Sequence, residues 1–336
     1  MTELREITRE EFDRLVAARG GEVPIEQTSV WADYQSTIPG RTFWGCLAFS
    51  RDGADVAYVA LMEYETHGYR FLRAGHGPIW LEAPTAEQEQ EAMEAFASFM
   101  RKRDRRQVFA RMAVDNDIAA SEPTLSTVPY DTTVVIDLTG GEEAILSRMK
   151  PRGRRDVRKA LREAPVTCAD ETARALESFD EYYAVMLETC ARDGFAPAPQ
   201  GDYENMIRIL GEEHCRVFAG RLEDGTLATW SIVTLNGTRA TKYYAASLNA
   251  TMRNYVTDRL SFFECCSLAD LGMRAYDLMG IGNDFAPSLM GLNLFKTKFS
   301  KEVAHVAPDR DVPIRRGFYR SLCVGKRVVD AARHRG

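Results

Sequence analysis

Apolar and polar positions along this chain follow a pattern that occurs twice. In the first half an amphipathic helix over Glu10–Arg19 precedes alternating runs at Phe43–Phe49, Val56–Glu63 and Tyr69–Ala74, with turns at Arg51-Asp52-Gly53 and His67-Gly68. Period-two alternation bounded by Gly and Asp predicts strands. A loop over Gly75–Pro84, a helix over Ala86–Arg103 and a strand over Gln107–Val114 complete the first set. The second half repeats the order. Helices over Ala173–Arg192 and Tyr203–Gly211 lead into strands at Cys215–Arg221, Thr229–Leu235 and Arg239–Ala246, followed by a helix at Asp258–Leu271 and a strand at Ala275–Ile281. Asp224-Gly225 and Asn236-Gly237 separate the strands and supply the positive φ that tight hairpins need.

Helix, three meandering strands, helix and strand make an α+β unit on a mixed, mostly antiparallel sheet. The order resembles the GNAT acyltransferase fold in two tandem copies. The expected division is a first domain over 1–138, completed by a C-terminal return over 308–336, and a second domain over 139–307. Val303–Pro313 is polar and contains proline, and Arg315–Arg333 reads as a closing helix.

Composition excludes more than it identifies. With 336 residues, 45% hydrophobic and 27% charged, the chain reads as globular. It has no apolar run of membrane-spanning length and no signal-peptide core at Met1–Glu6. Seven cysteines without a C-x-x-C pair and five scattered histidines point to a cytoplasmic protein without structural zinc. The net charge of −6 hides three basic islands, at 101–106, 147–162 and 315–336. They carry 20 of the 43 Lys/Arg and only 3 of the 49 acidic residues, so the rest of the chain sums to −23. Clustered cations on an acidic body favour a polyanionic partner.

Nucleotide and hydrolase motifs are missing. There is no G-x-x-x-x-G-K-[ST] and no G-x-S-x-G. The stretch Ala246–Tyr255, where a GNAT enzyme would cradle the CoA pyrophosphate, has no glycine, and Arg73–Pro78 loses an amide donor at Pro78.

Seven short motifs in chain order resemble those of the FemABX family, tRNA-dependent aminoacyltransferases that build peptidoglycan interpeptide bridges. They are Gln27-Thr28-Ser29-Val30-Trp31, Gly77-Pro78-Ile79, Arg154–Ala160, Glu188–Phe195, Tyr243–Ser247, Tyr276–Ile281 and Gly291–Phe299. Ser300-Lys301 and Ala245 depart from the family pattern, and no heptad segment between Pro197 and Cys215 supplies a coiled-coil arm.

The resemblance implies transfer of an amino acid from aminoacyl-tRNA, as co-substrate and with no other cofactor, to an amine of a muropeptide precursor, either UDP-MurNAc-pentapeptide or lipid II. The ester is already activated, so the enzyme must align the amine, remove a proton and stabilise an oxyanion. Lys296 is the catalytic candidate, an ammonium near the oxyanion or the tRNA terminal phosphate, and Asp115 is a candidate base. Arg154 and Arg158, at i and i+4, would grip phosphate together. Trp31 would stack on the acceptor's uridine or sugar, or pack at the core edge. Tyr243 and Tyr244 should point to opposite faces of their strand, one into the cleft, and Phe295 joins the substrate-binding set. Asp277, inside an apolar strand, needs a partner. The expected protein is a monomer. The basic C-terminal stretch containing Val324, Val328 and Val329 reads as an amphipathic closing helix, with peripheral contact to an anionic membrane as the alternative. Two other functions stay open: an acyl-CoA N-acyltransferase on the same fold, or a non-catalytic RNA- or muropeptide-binding homologue.

Overall fold

A computed structural model describes residues 1–333, with side chains as far as Val328; Val329 as a side chain and the tail to Gly336 lie outside the described residues. In chain order the elements are β1 (Thr2–Ile7), α1 (Arg9–Arg19), α2 (Ser29–Gln35), β2 (Arg41–Arg51), β3 (Ala54–Thr66), β4 (Tyr69–Ala74), β5 (Ile79–Trp80), α3 (Ala86–Arg103), β6 (Gln107–Ala113) and β7 (Thr132–Asp137). Then follow α4 (Gly141–Arg148), α5 (Pro151–Glu163), β8 (Thr167–Asp170), α6 (Thr172–Glu177), α7 (Asp180–Asp193), α8 (Gln200–His214), β9 (Cys215–Arg221), β10 (Leu227–Asn236) and β11 (Arg239–Ser247). The chain ends with α9 (Val256–Asp270), β12 (Ala275–Gly280), α10 (Met290–Lys296), β13 (Ala304–His305), β14 (Asp309–Pro313) and α11 (Arg316–Arg333).

The chain divides into two units, Met1–Asp131 with the segment from Val306 onward, and Thr132–His305. The first boundary falls seven residues before the expected position, because β7 pairs with β12 and β13 of the second sheet. Each unit holds one mixed, mostly antiparallel sheet: β1-β2-β3-β4-β6-β14 with β5 on β3 in the first, and β13-β7-β12-β11-β10-β9-β8 in the second.

In the first unit α3 lays Ala92, Met93, Phe96, Ala97 and Met100 over Leu47, Phe49, Val59, Leu61 and Leu72. The i, i+4, i+8 spacing keeps those side chains on one stripe. The helix begins at a capping box, with Thr85 Oγ1 accepting from Gln88 N (3.3 Å) and Gln88 Oε1 accepting from Thr85 N (2.9 Å). Gln27 latches this unit from inside. Its buried amide accepts from Ala60 N at 2.9 Å and donates to Gly75 O at 3.1 Å. A Cβ on Gly77 would lie 2.6 Å from the Gln27 side chain, so only glycine fits there.

The C-terminal return is tied in by charge. The Arg111 guanidinium on β6 donates twice to the Asp311 carboxylate on β14, at 2.7 and 3.0 Å, with both residues buried. Asp311 also accepts from Tyr319 Oη on α11 (3.1 Å) and Leu125 N (3.0 Å), and the guanidinium lies over Phe71 and Phe109. Together these hydrogen bonds satisfy a buried carboxylate that no water reaches.

The predicted helix over Ala173–Arg192 is two helices, α6 and α7, broken at Ser178 and Phe179. The break lets the fully buried Phe179 ring stack on Tyr182 and Tyr203 and meet Trp230 edge-on. The polar Val303–Pro313 segment holds two short strands, β13 and β14, one in each sheet.

Asp311→Ala should cost about 3–5 kcal/mol, because it strands the buried Arg111 guanidinium. Urea titration of the full chain checks this; a cost under 1 kcal/mol would mean that water reaches Arg111.

Candidate functional site

Parallel strands β11 and β12 hydrogen-bond only over Arg239–Thr241 and Ala275–Asp277. Beyond that point they part. On β11 the pairing with β10 slips between Ile232 and Val233, so Tyr243 becomes an extra residue. On β12 the register with β7 jumps between Asp277 and Gly280, and Met279 takes a left-handed φ of 63°. Both bulges bend their strands at the fork. The corresponding parallel pair of the first unit, β4 and β6, stays paired up to Ala74 and Met112.

Lys296 sits at the opened end. Its Nζ donates to Gly280 O at 2.8 Å. Two sequence motifs make that position. Gly282 passes so close to α10 that a Cβ would lie 2.1 Å from Met290 N. Asn293 accepts from Gly282 N and donates to Gly282 O, both at 2.7 Å. One helical turn after that clamp, Lys296 falls on the last carbonyl of β12. Burial pulls its ammonium down from 10.5 to about 8; Asp277 acts against this shift and Lys242 adds to it.

Charged groups missed by sequence reasoning lie beneath the fork. Glu264 of α9, wholly buried, accepts from Tyr276 Oη (2.7 Å) and Ser231 Oγ and pairs with Lys242 of β11 at 2.7 Å. Asp277 has the partners its buried position requires: the Thr133 hydroxyl, the Arg239 guanidinium (2.6 Å) and Met279 N (2.7 Å). The sequence signal for Glu264 was a single carboxylate among Phe262, Phe263, Cys265 and Cys266 on a helix that has to bury a face.

Phe295 is half-buried, its ring 5.3 Å from Phe299 and beneath Lys298, whose ammonium lies 4.7 Å from it. Lys298 pairs with Asp258 and sits 3.9 Å from Asp156. Its carbonyl accepts from Lys150 N at 3.1 Å, and a Cβ on Gly153 would lie 2.1 Å from that oxygen. Helix α5 is thereby pressed onto the end of α10.

Tyr243 and Tyr244 do not alternate. The bulge cancels period two, and both rings are half-buried on one face, 5.6 Å apart, with Tyr244 4.8 Å from Tyr203. Arg154 and Arg158 do not form a joint grip. Arg154 is spent on helix α4, donating to Met149 O at 2.5 Å and Ser147 O at 3.4 Å. Arg158 is exposed, on the same solvent face of α5 as Arg155 and Arg162. Trp31 and Asp115 belong to the first unit. The Trp31 ring is buried edge-on to Tyr34 at 5.2 Å, in keeping with packing at the core edge. Asp115 is exposed just after β6, its amide held by Glu89 Oε1 at 2.9 Å.

The turn from β11 to α9 does not suit a pyrophosphate. Asn249 N donates to the Glu188 carboxylate at 2.6 Å, and the amides of Thr251, Met252 and Asn254 close turns on Leu248, Asn249 and Thr251. Asp258, in the first turn of α9, is buried and spent on Lys298. A phosphate at Asn249–Asn254 would face the Glu188 carboxylate and occupied donors. In the first unit β4 leads through Gly75–Pro78 into β5 rather than into a helix.

No family model matches the chain, and no curated protein matches it by sequence. Solved structures do. A crystal structure of FemX superposes with a TM-score of 0.72 at 16% identity, covering 95% of this chain and 99% of that one. A tandem GNAT protein from the clavulanic acid biosynthesis pathway gives 0.53 at 12% identity, covering 93% and 97%. L-PGS from Bacillus licheniformis gives 0.51 at 11%, covering 96% and 97%. The fold is the tandem GNAT-like one.

Gly282→Ala should push α10 off the strand end and free Lys296, returning its pKa from about 8 towards 10.5. The pH dependence of acylation at Lys296, followed by peptide mass mapping, reads this. An apparent pKa still near 8 would show that the clamp does not set it.

Proposed function

We propose that this chain is an aminoacyltransferase of the FemABX type, carrying an amino acid from aminoacyl-tRNA to an amine of a peptidoglycan precursor peptide, UDP-MurNAc-pentapeptide or lipid II. The observation that carries the reading is Lys296, an ammonium with a lowered pKa at the open fork of β11 and β12. The likeness to FemX over nearly the whole of both chains agrees with it, as does the order of the seven motifs.

In this reading the acyl carbonyl enters the fork and the acceptor amine attacks it. Negative charge gathers on the carbonyl oxygen, and a fixed ammonium there stabilises it without reorganisation. Lys296 supplies that charge; Glu264 pairs with Lys242, and Arg239 with Asp277, beside it. The activated ester needs neither ATP nor a covalent enzyme intermediate, so aminoacyl-tRNA is the co-substrate and no further cofactor enters. The exposed Arg158 contributes phosphate attraction, and Tyr243, Tyr244 and Phe295 contribute aromatic walls.

The acyl-CoA alternative has the fold in its favour, through the tandem GNAT protein. The carboxylate and the satisfied amides at the β11–α9 turn count against it.

The deciding experiment offers a labelled, mixed charged-tRNA pool to UDP-MurNAc-pentapeptide and to lipid II, with an RNase control. An RNase-sensitive mass gain of one amino-acid residue is the expected result. Thiol release from acetyl-CoA with no such gain would replace this reading by the acyl-CoA one.

Lys296→Ala should lower single-turnover transfer by about 10²-fold or more, the usual loss on removing one oxyanion stabiliser. The rate should also fall as pH rises through about 8, where the ammonium is lost. Lys296→Arg, charged throughout, should lose that alkaline limb. A wild-type rate still rising above pH 9 would be evidence that Lys296 acts as a base, not as a cation.

A further inference from the structure

Helix α11 closes the first unit with only part of its surface. Tyr319 is buried against Phe109, and Leu322 and Cys323 pack beside it. At 3.6 residues per turn the opposite side carries Val324 and Val328, which are 60% and 64% exposed. An amphipathic closing helix accounts for Tyr319, Leu322 and Cys323 but leaves the two valines in water. Five cations and no acid lie between Arg315 and Val328. Arg316, Arg320 and Arg327 fall on one stripe beside the valines, all exposed.

The fold brings a cation of a second basic island to the same helix. Arg101, at the end of α3, donates to Ile314 O at 3.4 Å, and it lines with Arg316 and Ser98 a groove of about 480 Å³ that holds one carboxylate, Glu94. Arg101 and Arg316, from two of the three basic islands, therefore meet on one face of the first unit, while Arg103 and Arg106 are paired with Glu6 and Asp104.

From this arrangement we infer that the α3–α11 face is a docking surface for an anionic lipid bilayer. Lipid phosphates lie along the arginine stripe and in the Arg101–Arg316 groove, and Val324 and Val328 enter the headgroup boundary. The valines decide between polyanions. A polynucleotide calls for cations and free aromatic faces on which bases stack, and the exposed Phe318 of this helix already has Arg315 over its ring and Tyr69 beside it. Exposed aliphatic side chains flanked by arginine suit a surface that is charged outside and apolar beneath. The contact is peripheral: among the described residues no helix is long and apolar enough to cross a membrane. This inference does not rest on the proposed activity.

Co-sedimentation of the full chain with vesicles tests it, comparing phosphatidylcholine alone with phosphatidylcholine containing phosphatidylglycerol. Binding should need the anionic lipid and weaken with salt. The double variant Val324→Asp/Val328→Asp should lose about tenfold or more in vesicle affinity, as should Arg101→Ala/Arg316→Ala. Near-UV circular dichroism of each variant, unchanged, excludes misfolding; the valines and Arg316 are exposed, and Arg101 gives up one 3.4 Å hydrogen bond to Ile314 O. A fluorescent RNA hairpin is titrated in parallel. Absence of binding to anionic vesicles overturns the proposal. So does vesicle binding indifferent to the valine changes, and so does an RNA affinity that falls with the arginine variant while vesicles are ignored.

Discussion

The parting of β11 and β12 after three paired residues is the constraint on which the second unit's chemistry depends. A parallel pair in mid-sheet ordinarily spends its backbone donors and acceptors on each other. Opening it leaves carbonyls such as that of Gly280 to be satisfied from elsewhere, and Lys296 does so. The base of the opening is tied across both strands. Asp277 joins β12 to β7 through Thr133 and to β11 through Arg239, while Glu264 joins Lys242 of β11 to Tyr276 of β12. Each of these carboxylates would be costly in a closed core. Paired across the two strands, they fix the point beyond which β11 and β12 diverge.

The first unit runs the same topology with the fork shut. Strands β4 and β6 shift register after Arg70 but stay paired to the end of β4, and the following loop is filled by the Gln27 amide instead of being left open. One sequence difference accounts for much of this. The Gly77-Pro78 segment packs against Gln27, whereas the turn after β11 continues into α9. A repeated fold therefore does not mean a repeated site.

Much of this architecture was legible in the sequence, because hairpin turns and the α3 stripe are local signals. The helix break at Phe179 was not, since its cause is an aromatic cluster assembled from Tyr182, Tyr203 and Trp230, up to 51 residues away. Lys296 was found through resemblance, but its surroundings were hidden: Glu264 and Lys242 are 22 residues apart, on a helix and a strand whose contact no local pattern encodes. Asp277 was correctly suspected of needing partners, yet one of them, Thr133, comes from the far end of the second unit's chain. The tyrosine pair failed for a different reason. Alternation assumes an unbroken ladder, and nothing in Lys-Tyr-Tyr-Ala announces a bulge.

The Arg111–Asp311 pair has a consequence for biosynthesis. Arg111 leaves the ribosome 200 residues before its carboxylate, and the whole of the second unit is translated in between. The second unit is contiguous and can condense as soon as residue 305 emerges. The first must wait, with a cation in its sheet that lacks its counter-ion and an edge strand, β6, that lacks β14. The order of completion is thus the reverse of the order of synthesis. Throughout that interval the open edge of β6 is the surface on the nascent chain most in need of a chaperone.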